Sequence, residues 1–115
     1  MANNDHHKIN YIEFSAADLP AIKKFYGEVF GWQFTDYGHE YTAFTDGNLE
    51  GGFAKGTLTG RDPLVILYSN DLEETVNAVL KHGGKIAKDI FPFPGGRRFH
   101  FTDPHGNELA VWSAV

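Results

Sequence analysis

Seven side chains in this sequence have the chemistry to bind and protonate a small organic molecule. Carboxylates and an imidazole exchange protons near neutral pH when burial shifts their pKa values, and a guanidinium pairs with anions. Aromatic rings stack on flat ligands. The predicted catalytic residues are Glu13, His100 and Glu108, and the predicted ligand-binding residues are Tyr11, Tyr68, Arg98 and Trp112.

The first half of the chain predicts one strand, one helix and three further strands. The helix has its N-cap at Asp18 and ends at Gly31, since these residue types favour those positions. The turn Asp46-Gly47-Asn48 predicts an antiparallel hairpin, and Gly51-Gly52 indicates a bulge or a group that closely approaches the backbone. The predicted strands cover residues 8–14, 32–37, 40–45 and 49–55.

The second half repeats this order. Asp71 lies 53 residues after Asp18, and Gly84 lies 53 residues after Gly31. Asp71 and Glu74 predict a capping box at the start of the second helix. The constant offset indicates an internal duplication of a βαβββ module. The predicted strands of this half cover residues 64–69, 85–91, 97–102 and 108–113.

The duplication predicts a single α+β domain over residues 1–115. Module 1 covers residues 8–56 and module 2 covers residues 63–115, and their strands form a curved, mixed eight-stranded sheet with the helices outside. Strand alternation turns Phe14 and Phe99 toward the helices and the seven site residues toward the opposite, concave face. That face is the expected ligand cavity.

The segment Phe91-Pro-Phe-Pro-Gly-Gly96 combines aromatic rings with glycines and prolines. One interpretation is a lid that closes over the site, because glycines serve as hinges. The other is an ordinary loop that packs against a second subunit. Both interpretations stay open at this stage.

Composition excludes several classes of protein. The chain has no cysteine, so disulfide scaffolds and thiolate metal sites are ruled out. Ten basic against fifteen acidic residues, without a basic stripe, disfavour nucleic acid as a partner. No apolar run approaches the roughly 20 residues of a membrane helix, and the N-terminus is polar. We therefore expect a soluble, cytoplasmic protein without membrane contact.

No cofactor is predicted, and a divalent metal is disfavoured. A metal here needs three or four converging nitrogen or oxygen ligands. The histidines expected outside the strands are His6 and His7 in a frayed end, His39 and His105 in turns, and His82 at a helix end. The ligand candidates left on strands are His100, Glu13, Glu108 and Glu50, and their spacing matches no metal motif.

Four segments resemble the glyoxalase, bleomycin-resistance and extradiol-dioxygenase superfamily, also called vicinal oxygen chelate. The resemblance implies paired βαβββ modules, homodimers and, in the enzymes, a divalent metal held by strand residues. The metal-ligand positions that it implies fall at Tyr11, Leu64 and Ala110, which do not suit a metal, and at Glu50. The segments are residues 25–34, 71–84, 95–101 and 103–112.

Three functions follow from these observations. The leading hypothesis is a homodimer that binds a small organic molecule in the concave cavity without the usual catalytic metal. The second is a metal-dependent lyase, isomerase or dioxygenase with a non-standard ligand set from Glu13, Glu50, His100 and Glu108. The third is a drug-binding protein of the bleomycin-resistance type, in which the net charge of −5 attracts a cationic drug.

Overall fold

A computed structural model of the chain describes residues 5–57 and 62–115. These residues form two helices and eight strands and confirm the predicted α+β class with two βαβββ modules. The helices are α1 (Leu19–Phe30) and α2 (Leu72–Lys81). The strands are β1 (Ile9–Ala16), β2 (Gln33–Asp36), β3 (Tyr41–Thr45), β4 (Glu50–Lys55), β5 (Leu64–Tyr68), β6 (Lys85–Phe93), β7 (Gly96–Thr102) and β8 (Glu108–Ser113).

The chain divides into two compact units. The first unit is Tyr11–Leu64, and the second is Val65–Val115 together with the N-terminal residues up to Asn10. The strand order is β2-β3-β4-β1 in the first unit and β5-β8-β7-β6 in the second. In each unit one pair is parallel, β1 with β4 and β5 with β8, and the other pairs are antiparallel. The predicted hairpin of β3 and β4 is thereby confirmed.

Local signals set the helix ends. The carboxylate of Asp18 accepts a hydrogen bond from the Ala21 N–H at 3.0 Å, and α1 ends at Gly31 with φ of 75°. The Asp71 carboxylate likewise accepts from the Glu74 N–H at 3.1 Å. The other hydrogen bond of the predicted capping box, from the Asp71 N–H to the Glu74 carboxylate, is wrong. The Asp71 N–H donates to the Ser69 hydroxyl at 3.0 Å, in the place of the Glu74 carboxylate.

Each helix covers an apolar core. In the first unit, Leu19 of α1 packs with Phe44 and Phe53, and Phe14 joins them. In the second unit, Leu72 of α2 packs with Phe99 and Val111. The side chains that alternate with these residues therefore lie on the face away from the helix. Among the described residues, no helix has the length and apolar character needed to cross a membrane.

The segment 91–96 forms the end of a hairpin, so the prediction of an ordinary loop is wrong, whereas a role as a lid stays a prediction. Phe91 pairs with Arg98, and Phe93 pairs with Gly96. The turn itself is only Pro94-Gly95. Proline is tolerated at position 92 because β6 ends the strand order of its unit, where a backbone N–H is not needed on the outer side.

His6 and His7 are held in the second unit, so the prediction of a frayed end is also wrong. The His7 N–H donates to the Tyr68 carbonyl at 2.7 Å, which brings the N-terminal segment alongside β5. His6 Nδ1 accepts from the Asn70 N–H at 2.8 Å, and His7 Nε2 lies 2.9 Å from the Thr75 hydroxyl. These contacts join residues more than sixty positions apart.

Candidate functional site

The face of the second unit away from α2 carries five of the seven predicted site residues. Phe99 on β7 is fully buried in the core beneath α2, so Arg98 and His100 on either side of it lie on the opposite face. We call this side the helix-distal face of the second unit. Its predicted site residues are Tyr68, Arg98, His100, Glu108 and Trp112, whereas Tyr11 and Glu13 lie in the first unit.

Strand register places a row of side chains across this face. Arg98 pairs with Phe91 on one side and with Trp112 on the other. The guanidinium carbon of Arg98 lies 5.4 Å from the ring centre of Phe91 and 5.9 Å from that of Phe93, within the range of cation–π contacts. The ring centres of Phe93 and Trp112 are 6.2 Å apart. The positive charge thus lies among aromatic rings.

Trp112 is oriented by contacts from two sides. Its indole N–H donates to the Asn10 side-chain carbonyl at 3.0 Å. Tyr68, only 3% exposed, meets it edge-on with ring centres 4.8 Å apart. The Tyr68 hydroxyl accepts a hydrogen bond from the Ala114 N–H at 3.2 Å, so this ring is itself anchored. Tyr68 positions the indole, and its direct contact with a ligand stays a prediction.

His100 and Glu108 form a buried pair next to this row. Glu108 pairs in register with Thr102 and reaches diagonally, so that its Oε2 lies 3.1 Å from His100 Nδ1. The two side chains are only 5% and 11% exposed. Burial lowers the pKa of His100, while the hydrogen bond to Glu108 opposes this shift and the charges of Arg98 and Lys88 add to it.

This pair fixes the tautomer of the neutral imidazole. Because an ionised carboxylate only accepts hydrogen bonds, His100 donates through Nδ1–H and carries its lone pair on Nε2. Nε2 is buried and has no hydrogen-bond partner within residues 5–57 and 62–115. Buried polar atoms normally have partners, so this atom is a candidate contact for a bound molecule.

The lowered pKa of His100 predicts a stability change with pH. The unfolded chain takes up a proton near the ordinary histidine pKa of about 6.5, whereas the folded chain does so only at lower pH. The contribution of His100 is therefore present above about pH 6.5 and is lost as the pH falls. Urea unfolding below about pH 6.5 measures this effect. The free energy of unfolding should fall more steeply with decreasing pH for the natural protein than for His100→Gln. Equal slopes would contradict the assignment.

In the first unit, Tyr11 and Glu13 meet at Tyr41, which the sequence analysis did not single out. The Tyr41 hydroxyl donates to Glu13 Oε2 at 3.1 Å. Its only proton is then used, so Tyr11 is the donor in the 2.6 Å bond between the two hydroxyls. Burial raises the pKa of both phenols, and the Glu13 carboxylate raises that of Tyr41 further. Both phenols therefore stay protonated at neutral pH.

Gly52 makes room for this hydrogen-bonded cluster. A β-carbon at Gly52 would overlap the Tyr41 hydroxyl and lie 2.7 Å from that of Tyr11. The strand register runs through Gly51 and Gly52 without a shift. Of the two alternatives predicted for the glycine pair, the close approach is therefore confirmed. The glycine pair Gly51-Gly52 was the one feature of the sequence that indicated a closely packed group such as Tyr41.

Three of the four implied metal positions carry side chains that do not fit a divalent metal, and the fourth, Glu50, offers a single carboxylate. Ala110 is fully buried in β8 and offers no donor atom, and Leu64 offers none either. The Tyr11 hydroxyl is protonated and bonded to Tyr41. Over residues 5–57 and 62–115, no group of three or more histidine, aspartate or glutamate side chains comes together.

Comparisons with known proteins agree with this architecture. The family model described as Glyoxalase/Bleomycin resistance protein/Dioxygenase superfamily matches residues 8–111. The chain is 31% identical to a glyoxylase-like domain-containing protein of Didymella fabae, with 92% of this chain and 93% of the relative aligned.

Two further relatives are larger proteins. CFP32 of Mycobacterium tuberculosis, which carries the name of a glyoxylase, is 29% identical over 91% of this chain, and the chain spans only 45% of its length. The structure of a Mn(II)-bound glyoxalase from Novosphingobium aromaticivorans superposes with a TM-score of 0.69 at 21% identity. That alignment covers 96% of this chain and 40% of the other, and it shows a shared fold.

Proposed function

Because this chain belongs to the glyoxalase/bleomycin resistance/dioxygenase superfamily, we propose that it binds a small aromatic anion on the helix-distal face of the second unit, without a metal ion. The observation that supports this proposal is the position of Arg98 against Phe91 and Phe93, next to Trp112. The cation attracts an anionic group, and the rings match a flat apolar body. Catalytic use of Glu13, His100 and Glu108 remains part of the hypothesis.

The chemistry of Arg98 favours an anion over other ligands. A guanidinium has five N–H donors, so it can keep protein partners and still donate to a carboxylate or phosphate. Arg98 and the aromatic rings around it are half-buried. An ionic contact in such a place is stronger than one in water. A cationic drug of the kind considered above would be repelled by the same charge. We therefore place the drug-binding function below anion binding.

The proposal extends to assembly and location. We infer a homodimer and a cytoplasmic protein, in line with the resemblance and with the sequence composition. Support for an interface comes from the number of exposed apolar side chains, since a monomer gains nothing by exposing them. Those of α1 are Phe25, Val29 and Phe30, which are 53%, 57% and 61% exposed.

Arg98 and its neighbour Arg97 on β7 allow the proposed anion binding to be tested with a matched control. Benzoate should bind the natural protein and raise its melting temperature, as any ligand of the folded state does. Arg98→Met should weaken benzoate binding by about 10-fold or more, the usual effect of losing a hydrogen bond to a charged group. Isothermal titration calorimetry measures both affinities.

Arg97→Met is the matched control. Arg97 lies on the same strand but binds Glu73 at 2.6 Å and the Val115 carbonyl at 3.1 Å, so its loss should leave benzoate affinity unchanged. The proposal is wrong if Arg98→Met binds benzoate as the natural protein does. It is equally wrong if neither benzoate nor phenyl phosphate binds the natural protein.

A further inference from the structure

We infer that His100 Nε2 accepts a hydrogen bond from the ligand, so that the preferred ligand is an aromatic acid carrying a hydroxyl group away from its acid group. This inference rests on the proposed function, since it assumes that Arg98 holds the acid group. The hydrogen-bonding capacity of Arg98 and His100 on β7 defines this class of ligand.

The imidazole of His100 presents a buried acceptor to the helix-distal face. Glu108 accepts the hydrogen bond from Nδ1–H, so the neutral ring has an acceptor at Nε2 and no donor there. This acceptor is buried and lacks a partner among the described residues. A buried acceptor without a partner costs free energy, and a ligand hydroxyl would remove that cost. A ligand without an O–H or N–H donor would leave the cost in place.

The spacing of Arg98 and His100 along β7 limits the ligands that can contact both side chains. Arg98 and His100 are two residues apart on β7, so they share a face and their α-carbons are about 7 Å apart. A ligand that meets both side chains must separate its anionic group from its donor by a comparable distance. A hydroxyl in the meta or para position of benzoate is held away from the carboxylate in this way. A hydroxyl in the ortho position lies against its own carboxylate and is already used by it.

Phe91 lies beside the route by which a ligand would reach the imidazole. The Phe91 ring lies beside the imidazole, with ring centres 5.8 Å apart, and it also contacts Arg98. Phe91 is half-buried on β6, the last strand of the unit's order. A change of its side-chain rotamer is a local motion that would open space beside the imidazole without moving the backbone. Phe91 then supplies one wall against the ligand ring.

The experiment compares four aromatic acids by isothermal titration calorimetry. The natural protein should bind 3-hydroxybenzoate about 10-fold tighter than benzoate, 2-hydroxybenzoate and 3-methoxybenzoate, since only the first presents a free donor at the right distance. His100→Phe should remove this preference, so that the four acids bind this variant with similar affinities. His100→Gln, which restores an acceptor, should recover part of the preference.

The outcomes separate the two proposals. Equal binding of the four acids, or a preference that survives in His100→Phe, overturns the role of His100 and leaves anion binding intact. If none of the acids binds, the proposed function itself is wrong. Should His100→Phe fail to fold, the ¹⁵N shift of Nε2 in the natural protein decides. It must move when 3-hydroxybenzoate is added and not with benzoate, and equal shifts reject the inference.

Discussion

Gly51→Ala is expected to destabilise the protein by about 3 kcal/mol, near the upper end of the usual cost of overpacking. A β-carbon at this position would overlap the carbonyl oxygen of Ile12 and lie 2.7 Å from a ring carbon of Phe44. Ile12 is the register partner of Gly51 on the parallel strand β1, so its carbonyl belongs to the backbone of the sheet and cannot rotate away. Urea unfolding followed by circular dichroism measures the loss.

Gly27→Ala is the matched control and should act in the opposite direction. Gly27 lies inside α1, and a β-carbon there would meet nothing closer than the Trp32 carbonyl oxygen at 3.7 Å, an ordinary contact. Alanine favours the helix over glycine by roughly 0.5–1 kcal/mol, so stability should rise by about that amount. Equal effects of the two substitutions would show that the space around Gly51 has been misjudged.

Phe99→Ala should cost about 3–5 kcal/mol, the usual range for a phenylalanine removed from a core. Phe99 is fully buried and packs with Leu72 of α2 and Val111 of β8. The surrounding side chains belong to a helix and a sheet, so they cannot collapse fully into the space that the ring leaves. Because Phe99 separates Arg98 from His100, the cavity should also loosen the proposed binding face.

Two measurements check this result. Chemical denaturation gives the change in unfolding free energy, and Tyr37→Ala serves as the control. Tyr37 is 65% exposed and lies outside α1, and its loss should change stability by no more than about 0.5 kcal/mol. Benzoate affinity of folded Phe99→Ala should fall below that of the natural protein. Undiminished stability would mean that Phe99 does not hold α2 to the sheet.

Features that depend on neighbours in the chain were predictable. The N-cap at Asp18 and the end of α1 at Gly31 depend on residues within one helical turn, and both predictions are confirmed. The core faces of Phe14 and Phe99 follow from strand alternation, which is a property of local backbone geometry. The same alternation assigned Arg98 and His100 to the opposite face.

Features that depend on distant partners were missed. His6 and His7 have no helical or strand signal of their own, and their partners Asn70 and Thr75 lie far along the chain. Glycine and proline at 91–96 indicated a loop, because such composition describes the local chain and not its position at the edge of a sheet. Tyr41 was missed because its bond to Glu13 requires the register of three strands.

The sequence by itself determined the α+β class, the duplicated module and the residue types that could bind an anion. Only the tertiary structure decided that Arg98 lies between Phe91 and Trp112 and that Glu108 reaches diagonally to His100. The reason is physical. Alternation has a period of two that any strand carries in its own sequence, whereas register is set by hydrogen bonds and packing between strands that are separate in the chain.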